Sequence, residues 1–308
     1  MGMEPNIRLY PEDFATTITD LHGEHGLSWL EGLPLLLRDF EKRWSLKIQP
    51  HFTPLSYNFV APAITRDGSE VVVKAGYPNA AIQNEIASLE HFNGLGCIKL
   101  LNADSDQGVM LLEKVTPGDM LSTVADDVEA TSIACETMRN LRKSPPIKYN
   151  YPSIADWGKG FTNLRKQFKG GHGPFPPKLI HRAEAIFREL LNSANESVLL
   201  HGDLHHYNIL CAGNGSWMAV DPQGVTGEVV YETGAFLRNP YPQLLKKTNP
   251  RKILSNRIDL FTEELGFDRD RIAAWGFAQA VLSAWWSYED HGTGWEWGVR
   301  CAEVLANI

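Results

Sequence analysis

From Leu27 the apolar residues Trp29, Leu33, Leu36, Leu37, Phe40 and Trp44 recur at steps of three and four, the spacing of an amphipathic helix. Residues 1 to 26 before it are polar and irregular, with only a weak helical hint, and Pro34 stands where a second helix can begin. Between residues 46 and 75 the period changes. Ile48 to Phe52, Phe59 to Ala61 and Val71 to Lys74 read as strands, with Asp67-Gly68 as a hairpin turn between the last two. Asn79 to Phe92 returns to helix, with Ile82, Ile86, Leu89 and Phe92 on one face. Ile98 to Ala103 and Val109 to Glu113 make a further hairpin around Asp106-Gln107-Gly108. Beyond Val115 helices dominate: Val128–Leu141, Lys178–Asn192, Ile258–Leu265 and Arg271–Tyr288. The last carries an apolar stripe of Trp275, Ala278, Leu282, Trp285 and Trp286.

One stretch of this second half breaks the helical pattern. Val198 to Gln223 reads as a short apolar strand, a polar loop, a second strand, a turn at Gly213-Asn214-Gly215 and a third strand ending in an acid. Three polar groups therefore stand at strand ends in one small volume: Asp203, Asn208 five residues on, and Asp221 beyond the turn. Phosphoryl transfer from ATP needs such a set. One carboxylate, Asp203, positions the attacking hydroxyl and accepts its proton, while an amide and a second carboxylate, Asn208 and Asp221, hold Mg2+ on the triphosphate. The spacing matches the kinase catalytic loop, His-x-Asp with Asn five after the Asp, followed by an acid in the DFG position.

The string HGDLHHYNIL, followed by VDPQGVTGEVVYE and FLRNP, resembles the aminoglycoside phosphotransferases, above all the branch with streptomycin 6-kinases and hydroxyurea-resistance kinases. The resemblance covers nearly the whole chain from Trp29 onward. It implies an α+β, protein-kinase-like fold of two lobes. Residues 1–115 would form a sheet-rich nucleotide-binding lobe with a helical extension, and residues 116–308 a helical catalytic and acceptor-binding lobe, with ATP between them. It implies that Lys74, closing an apolar strand, binds phosphate, and that Glu85 on the next helix fixes it, with Glu90 the alternative. Backbone groups near Glu113 and Val115 would meet adenine. The phosphate loop, Pro54 to Ala63, contains no glycine, so backbone amides and the Ser56 hydroxyl take its part. There is no GxxxxGK[ST] sequence, which argues against a P-loop kinase, and no APE-like segment after Asp221. The implied function is ATP-dependent phosphorylation of a hydroxyl on a small molecule, an aminoglycoside such as streptomycin or a related antibiotic. The alternatives are a metabolic kinase for sugar or amino-alcohol acceptors, and a non-enzymatic nucleotide-binding pseudokinase.

Composition narrows the partners. The 308 residues include 29 basic and 37 acidic side chains, a net charge of −8, which disfavours a broad nucleic-acid footprint and suits a cationic acceptor. No apolar run approaches the ~18 residues of a membrane span, and the N-terminus lacks a signal pattern, so a cytoplasmic, monomeric protein is expected. Four cysteines lie far apart, as reduced thiols do in that compartment. His201, His205 and His206 lack a partner cysteine, so hydrogen bonding rather than zinc is expected, with His201 supporting the loop and the other two flanking substrate. For the acceptor, Glu289 and Asp290 close the last long helix against its dipole, beside Trp285, Trp286, Trp295 and Trp297. A cation or sugar site and a solvated helix end over core tryptophans fit that pattern equally. Asp156, Glu228 and Glu232 are weaker candidates by the same logic, and Arg238 is expected to hold the loop after Asp221.

Overall fold

The structure is a computed structural model describing residues 9–194 and 196–308. The chain forms two compact units, one from residues up to Ile86 with Lys99–Lys114, the other from Ala87–Ile98 and Val115–Ile308.

The first unit is a five-stranded antiparallel sheet against one long helix. Strands β1 (Leu46–Ile48), β2 (Asn58–Thr65), β3 (Glu70–Gly76), β4 (Leu100–Asp104) and β5 (Val109–Glu113) lie in the order β1-β2-β3-β5-β4. Period-two alternation decides the faces. Phe59, Ala61 and Ala63 of β2 and Val71, Val73 and Ala75 of β3 are buried in one cluster with Phe14, Ile18, Leu30, Leu33, Leu37 and Phe40 of α1 (Glu12–Arg43). Lys74 falls between Val73 and Ala75, so it points to the opposite face.

The N-terminal helix departs from the sequence reading in two ways. It begins at Glu12, well inside the stretch expected to be irregular; the first eight residues of that stretch lie outside the described residues. Gly23, at φ 58°, is a non-helical break, and Gly26 lets the backbone close up, because a Cβ there would lie 2.5 Å from the Ile18 carbonyl oxygen. Pro34 does not open a second helix but sits inside this one. Its missing N–H leaves the Leu30 carbonyl without a helical donor, and the Tyr10 hydroxyl donates there at 3.1 Å.

The second unit is helical: the last part of α2 (Ala80–Phe92), then α3 (Asp127–Leu141), α4 (Ile154–Gln167), α5 (Pro177–Asn192), α6 (Thr233–Leu237), α7 (Pro250–Leu265), α8 (Arg269–His291) and α9 (Glu296–Leu305). Three were not anticipated, α4, α6 and α9. The first carries Ile154, Trp157, Phe161 and Leu164 at helical spacing and opens on a capping box, Ser153 with Asp156, both legible once sought. Helix α8 is the hub, with Trp275, Phe277, Val281, Leu282 and Trp285 buried against its neighbours α5, α6 and α9. No helix among the described residues is long and apolar enough to cross a membrane.

Two short antiparallel pairs complete this unit: β6 (Val198–Leu200) with β9 (Val225–Gly227), and β7 (Ile209–Gly213) with β8 (Ser216–Ala219). The β7–β8 turn has Asn214 at φ 51° and Gly215 at φ 77°, the two positive values a two-residue hairpin turn requires.

Candidate active site

The hairpin does the positioning. Ile209 pairs with Ala219, so Asn208 just before β7 lies opposite Val220 just after β8, and Val220 N–H donates to the Asn208 carbonyl at 2.9 Å. Asp221 follows at once. Its backbone is left-handed, φ 61°, a region costly for most side chains but tolerated by Asp, and a feature that concentrates at functional sites. The Asn208 NH2 donates to the Asp203 carbonyl at 2.9 Å, which turns its own carbonyl oxygen the other way as the available ligand atom.

Behind these three lies His201, fully buried. Asp203 N–H donates to His201 Nδ1 at 3.2 Å, and the ring's Nε2–H donates to the Val220 carbonyl at 2.8 Å. One neutral ring thus ties the loop carrying Asp203 to the strand end carrying Asp221. Burial lowers its pKa to about 4. The His201 backbone carbonyl also accepts from Gln223 N–H at 2.8 Å.

Asp203 is partly buried, with 30% of its side chain open to solvent. Arg238, following α6, donates to Oδ1 at 2.7 Å, and His205 Nε2 lies 3.3 Å from Oδ2. Burial alone would raise this carboxyl, but the His205 ring and the Arg238 guanidinium outweigh it and hold it well below the usual carboxylate range. The sequence reading gave Arg238 to the loop after Asp221; it pairs with Asp203 instead. Position in FLRNP carried no signal for this, because the pairing spans 35 residues.

The three loop histidines diverge. His206 does not flank a site: it is buried and stacked on Phe236 with ring centroids 4.0 Å apart. Arg257, absent from the sequence reading, donates to its Nε2 at 3.3 Å, bonds the Asp127 carboxylate, and donates to the Phe236 and Asn239 carbonyls at 3.0 and 2.5 Å. Those carbonyls flank Arg238. Among the described residues no group of three or more His, Cys, Asp or Glu forms a metal site.

A cavity of about 390 Å³ opens beside this loop. His205 and Arg238 form one wall, and Ser283, Ser287 and His291 of α8 with Trp297 of α9 form another. The four expected acceptor carboxylates are not among its lining residues. Glu232 is buried, and its oxygens accept from His201 and Gly202 N–H at 2.7 and 3.0 Å, so it supports the loop from behind. Asp156 caps α4 and pairs with Lys159 at 2.7 Å. Glu289 and Asp290 are exposed at the end of α8. Glu228 pairs with Arg271 and accepts from Trp275 Nε1. Trp285 is core, 2% exposed; of the four tryptophans only Trp297 lines the cavity.

Glu232 and His201 make a pH prediction with opposite signs. Burial raises the Glu232 carboxyl to about 7 from 4.5, so its contribution to stability is full below pH 4.5 and is lost as the pH rises through 7. His201, lowered from 6.5 to about 4, contributes fully above pH 6.5 and loses that as the pH falls through 4. The two nearly cancel between 4.5 and 6.5. From pH 6.5 to 8 the wild type should lose about 1 kcal/mol that Glu232→Gln does not lose, at roughly 1.4 kcal/mol per proton per pH unit. Urea unfolding of both proteins at the two pH values measures this, and equal pH slopes would refute it.

In the first unit, Lys74 and Glu85 form a buried ion pair at 2.6 Å, with 1% and 6% of each residue exposed. Glu85, and not Glu90, is the partner. The Glu113 carboxylate accepts from Lys99 N–H at 2.5 Å, which fixes the end of β5, and Val115 follows two residues later at the start of the second unit. Ser56 is exposed in the loop before β2.

Residues 43–291 match a family described as aminoglycoside/hydroxyurea antibiotic resistance kinase. A streptomycin 6-kinase of Streptomyces glaucescens is 27% identical over 281 residues, 91% of each chain. A hydroxyurea phosphotransferase of Kitasatospora aureofaciens is 28% identical over 294 residues, covering 92% of this chain and 82% of its own. A choline kinase of Streptococcus pneumoniae superposes with a TM-score of 0.63 over 90% of this chain and 100% of its own. At 12% identity that likeness shows the fold, which is protein-kinase-like.

Proposed function

Because the chain belongs to the aminoglycoside/hydroxyurea antibiotic resistance kinase family, we propose that it transfers the γ-phosphoryl group of ATP to a hydroxyl of a small-molecule antibiotic, a streptomycin-like aminoglycoside being the first class to test. One observation carries the reading: an ionised Asp203 lies beside an open cavity, on the loop that also presents Asn208 and that His201 ties to the strand end carrying Asp221.

The roles follow from the chemistry of each group. Asp203 accepts a hydrogen bond from the acceptor hydroxyl and orients its oxygen toward the phosphorus. A carboxylate held so far down is a weak base, so it stays ionised through substrate binding and takes the proton late, as bond formation acidifies the hydroxyl. That suits a loose phosphoryl-transfer transition state, in which positioning and charge stabilisation outweigh proton abstraction. Arg238 and His205 fix the carboxylate's direction. Lys74, held by Glu85, is assigned to the phosphates, the backbone at Glu113 and Val115 to adenine, and Ser56 to the phosphate loop.

Asn208 Oδ1 and the Asp221 carboxylate are two hard oxygen donors, a set that fits Mg2+, which takes few protein ligands and keeps water and phosphate oxygens for the rest. Bound there, Mg2+ would neutralise triphosphate charge. Asp221→Asn should weaken Mg-ATP binding at least tenfold while leaving the magnesium-free nucleotide affinity within about twofold, since one charge-assisted contact is worth about 1.5–3 kcal/mol. Calorimetry with and without Mg2+ decides this, and an unchanged Mg-ATP affinity would remove Asp221 from the role. ADP release coupled to streptomycin and hydroxyurea tests the activity itself. No acceptor-dependent turnover across a broad panel of hydroxyl compounds would overturn it.

A further inference from the structure

A pair of histidines in the second unit takes no part in the phosphotransferase site. His172 is half-buried in the connection between α4 and α5, and His181 is exposed on the second turn of α5. Their Nε2 atoms face each other at 3.0 Å, and neither residue lines the cavity beside Asp203. Two imidazole nitrogens meet in this way for one of two reasons: a proton lies between them, or both lone pairs point at one cation. The ring positions separate the two. A straight N–H···N bond of 3.0 Å would set the ring centroids about 5.3 Å apart. Two metal–nitrogen bonds of about 2.0–2.1 Å, from nitrogens this close, meet at roughly 90–100° and bring the centroids to about 4.7 Å. The observed centroids are 4.8 Å apart, with the ring planes at 76°. The rings therefore bend away from the N···N line, as they do when two lone pairs converge on one point.

The backbone on both sides of His172 is held. Arg165 donates to the Gly170 and Gly171 carbonyls at 3.4 and 3.5 Å, just before it. The same guanidinium forks onto Glu184 at 2.9 and 2.8 Å, so the cation that fixes the loop is itself neutralised. On the other side Phe175 N–H donates to the His172 carbonyl at 3.2 Å. Phe175 is buried, its ring centroid 5.7 Å from that of Tyr288 and 5.2 Å from that of Trp295. With His181 on a helix, both nitrogens stand on supported backbone, which is what a chelating pair requires. We propose that His172 and His181 form a two-histidine site for a borderline divalent transition metal, completed by water, that ties the α4–α5 connection to α5. A near-right angle between the two bonds suits the tetragonal geometry of Ni2+ and Cu2+ better than the wider tetrahedral angle of Zn2+. Mg2+ prefers oxygen donors, so the site does not compete with Asn208 and Asp221 for that ion.

Ni2+ is the probe, titrated calorimetrically into the untagged full chain with Mg2+ in excess. The wild type should bind one Ni2+ at least tenfold more tightly than either His172→Ala or His181→Ala, because each substitution leaves a single ligand where two acted together. Saturating Ni2+ should raise the unfolding temperature of the wild type by at least about 2 °C and leave both variants unmoved, since only the folded chain brings the two rings together. A third readout needs no substitution: paramagnetic Ni2+ added in small steps should broaden the ring signals of His172 and His181 in NMR spectra before those of any other histidine. An affinity loss below tenfold in either variant overturns the site. An equal thermal shift in the variants, or broadening that begins at another histidine, does the same and leaves the pair as a hydrogen bond alone.

Discussion

Asp203→Asn should lower kcat by roughly 10²–10⁴ while the KM for ATP stays within a few-fold, the size of effect that a positioned proton acceptor supplies. The substitution keeps the side chain's shape. It removes the anion that receives the acceptor hydroxyl and leaves Arg238 without the partner it now holds at 2.7 Å. An amide NH2 facing that guanidinium is repelled, so the introduced amide must present its oxygen to Arg238 and its NH2 toward His205. The hydroxyl then loses its orienting acceptor. Because Asp203 belongs to the second unit and Lys74 to the first, nucleotide affinity is a separable readout. Steady-state ADP release at saturating ATP measures the loss, and turnover within tenfold of the wild type would exclude Asp203 from this role.

Arg257→Leu should be the largest single loss of stability in the second unit, about 3–5 kcal/mol, the range for stripping one partner from a buried charge network. Arg257 is 1% exposed, lies over the Phe236 ring with its guanidinium carbon 4.9 Å from the centroid, and supplies donors to two buried carbonyls and the Asp127 carboxylate. Leucine fills much of the volume but leaves the Asn239 carbonyl without its Arg257 donor, at a cost of about 1–3 kcal/mol, while the Phe236 carbonyl keeps the Asn239 N–H at 3.2 Å. Asp127, whose side chain is 38% exposed, recovers hydration and adds little. Asp127→Asn should accordingly cost far less, since Arg257 keeps both carbonyls. Arg257→Lys should recover less than half the loss, because an ammonium lacks the planar fork that reaches carbonyls and carboxylate together. Thermal unfolding should show a fall on the order of 10 °C for Arg257→Leu. A shift under about 2 °C would mean that the network adds nothing net. Loss of activity is expected to accompany it, as the two carbonyls set the backbone on either side of Arg238.

The hydrophobic pattern and the loop motif went a long way by themselves. The β-branched run Val71-Val72-Val73 closing in Lys74 reads as a strand, and β3 is that strand, with Lys74 between the buried Val73 and Ala75. The turn expected at Gly213-Asn214-Gly215 is the turn observed, but a bulge between Cys211 and Gly213 shifts the register, so that Asn208 faces Val220 rather than Asp221. The pairing of Lys74 with Glu85 follows from the resemblance and short-range geometry, a strand leading into a helix eleven residues later. These are local quantities, decided within a few turns of chain, and a sequence carries them legibly.

What the tertiary structure decided are the long-range partners. A carboxylate's meaning depends on what faces it, and Glu232, Asp156, Glu289 and Asp290 look alike in sequence. Folding gives Glu232 to backbone amides 30 and 31 residues away, gives Asp156 to its own helix cap, and leaves the last two at an exposed helix end. Arg257 reaches Asp127 across 130 residues, a separation at which no periodicity persists. Helix α1 was underread for a related reason: a glycine and a proline are breakers in isolation, and only the packing at Gly26 and the Tyr10 hydroxyl on the Leu30 carbonyl show how the helix carries them. Side-chain identity fixed which chemistry was present in the chain, and packing fixed which of those groups share one cavity.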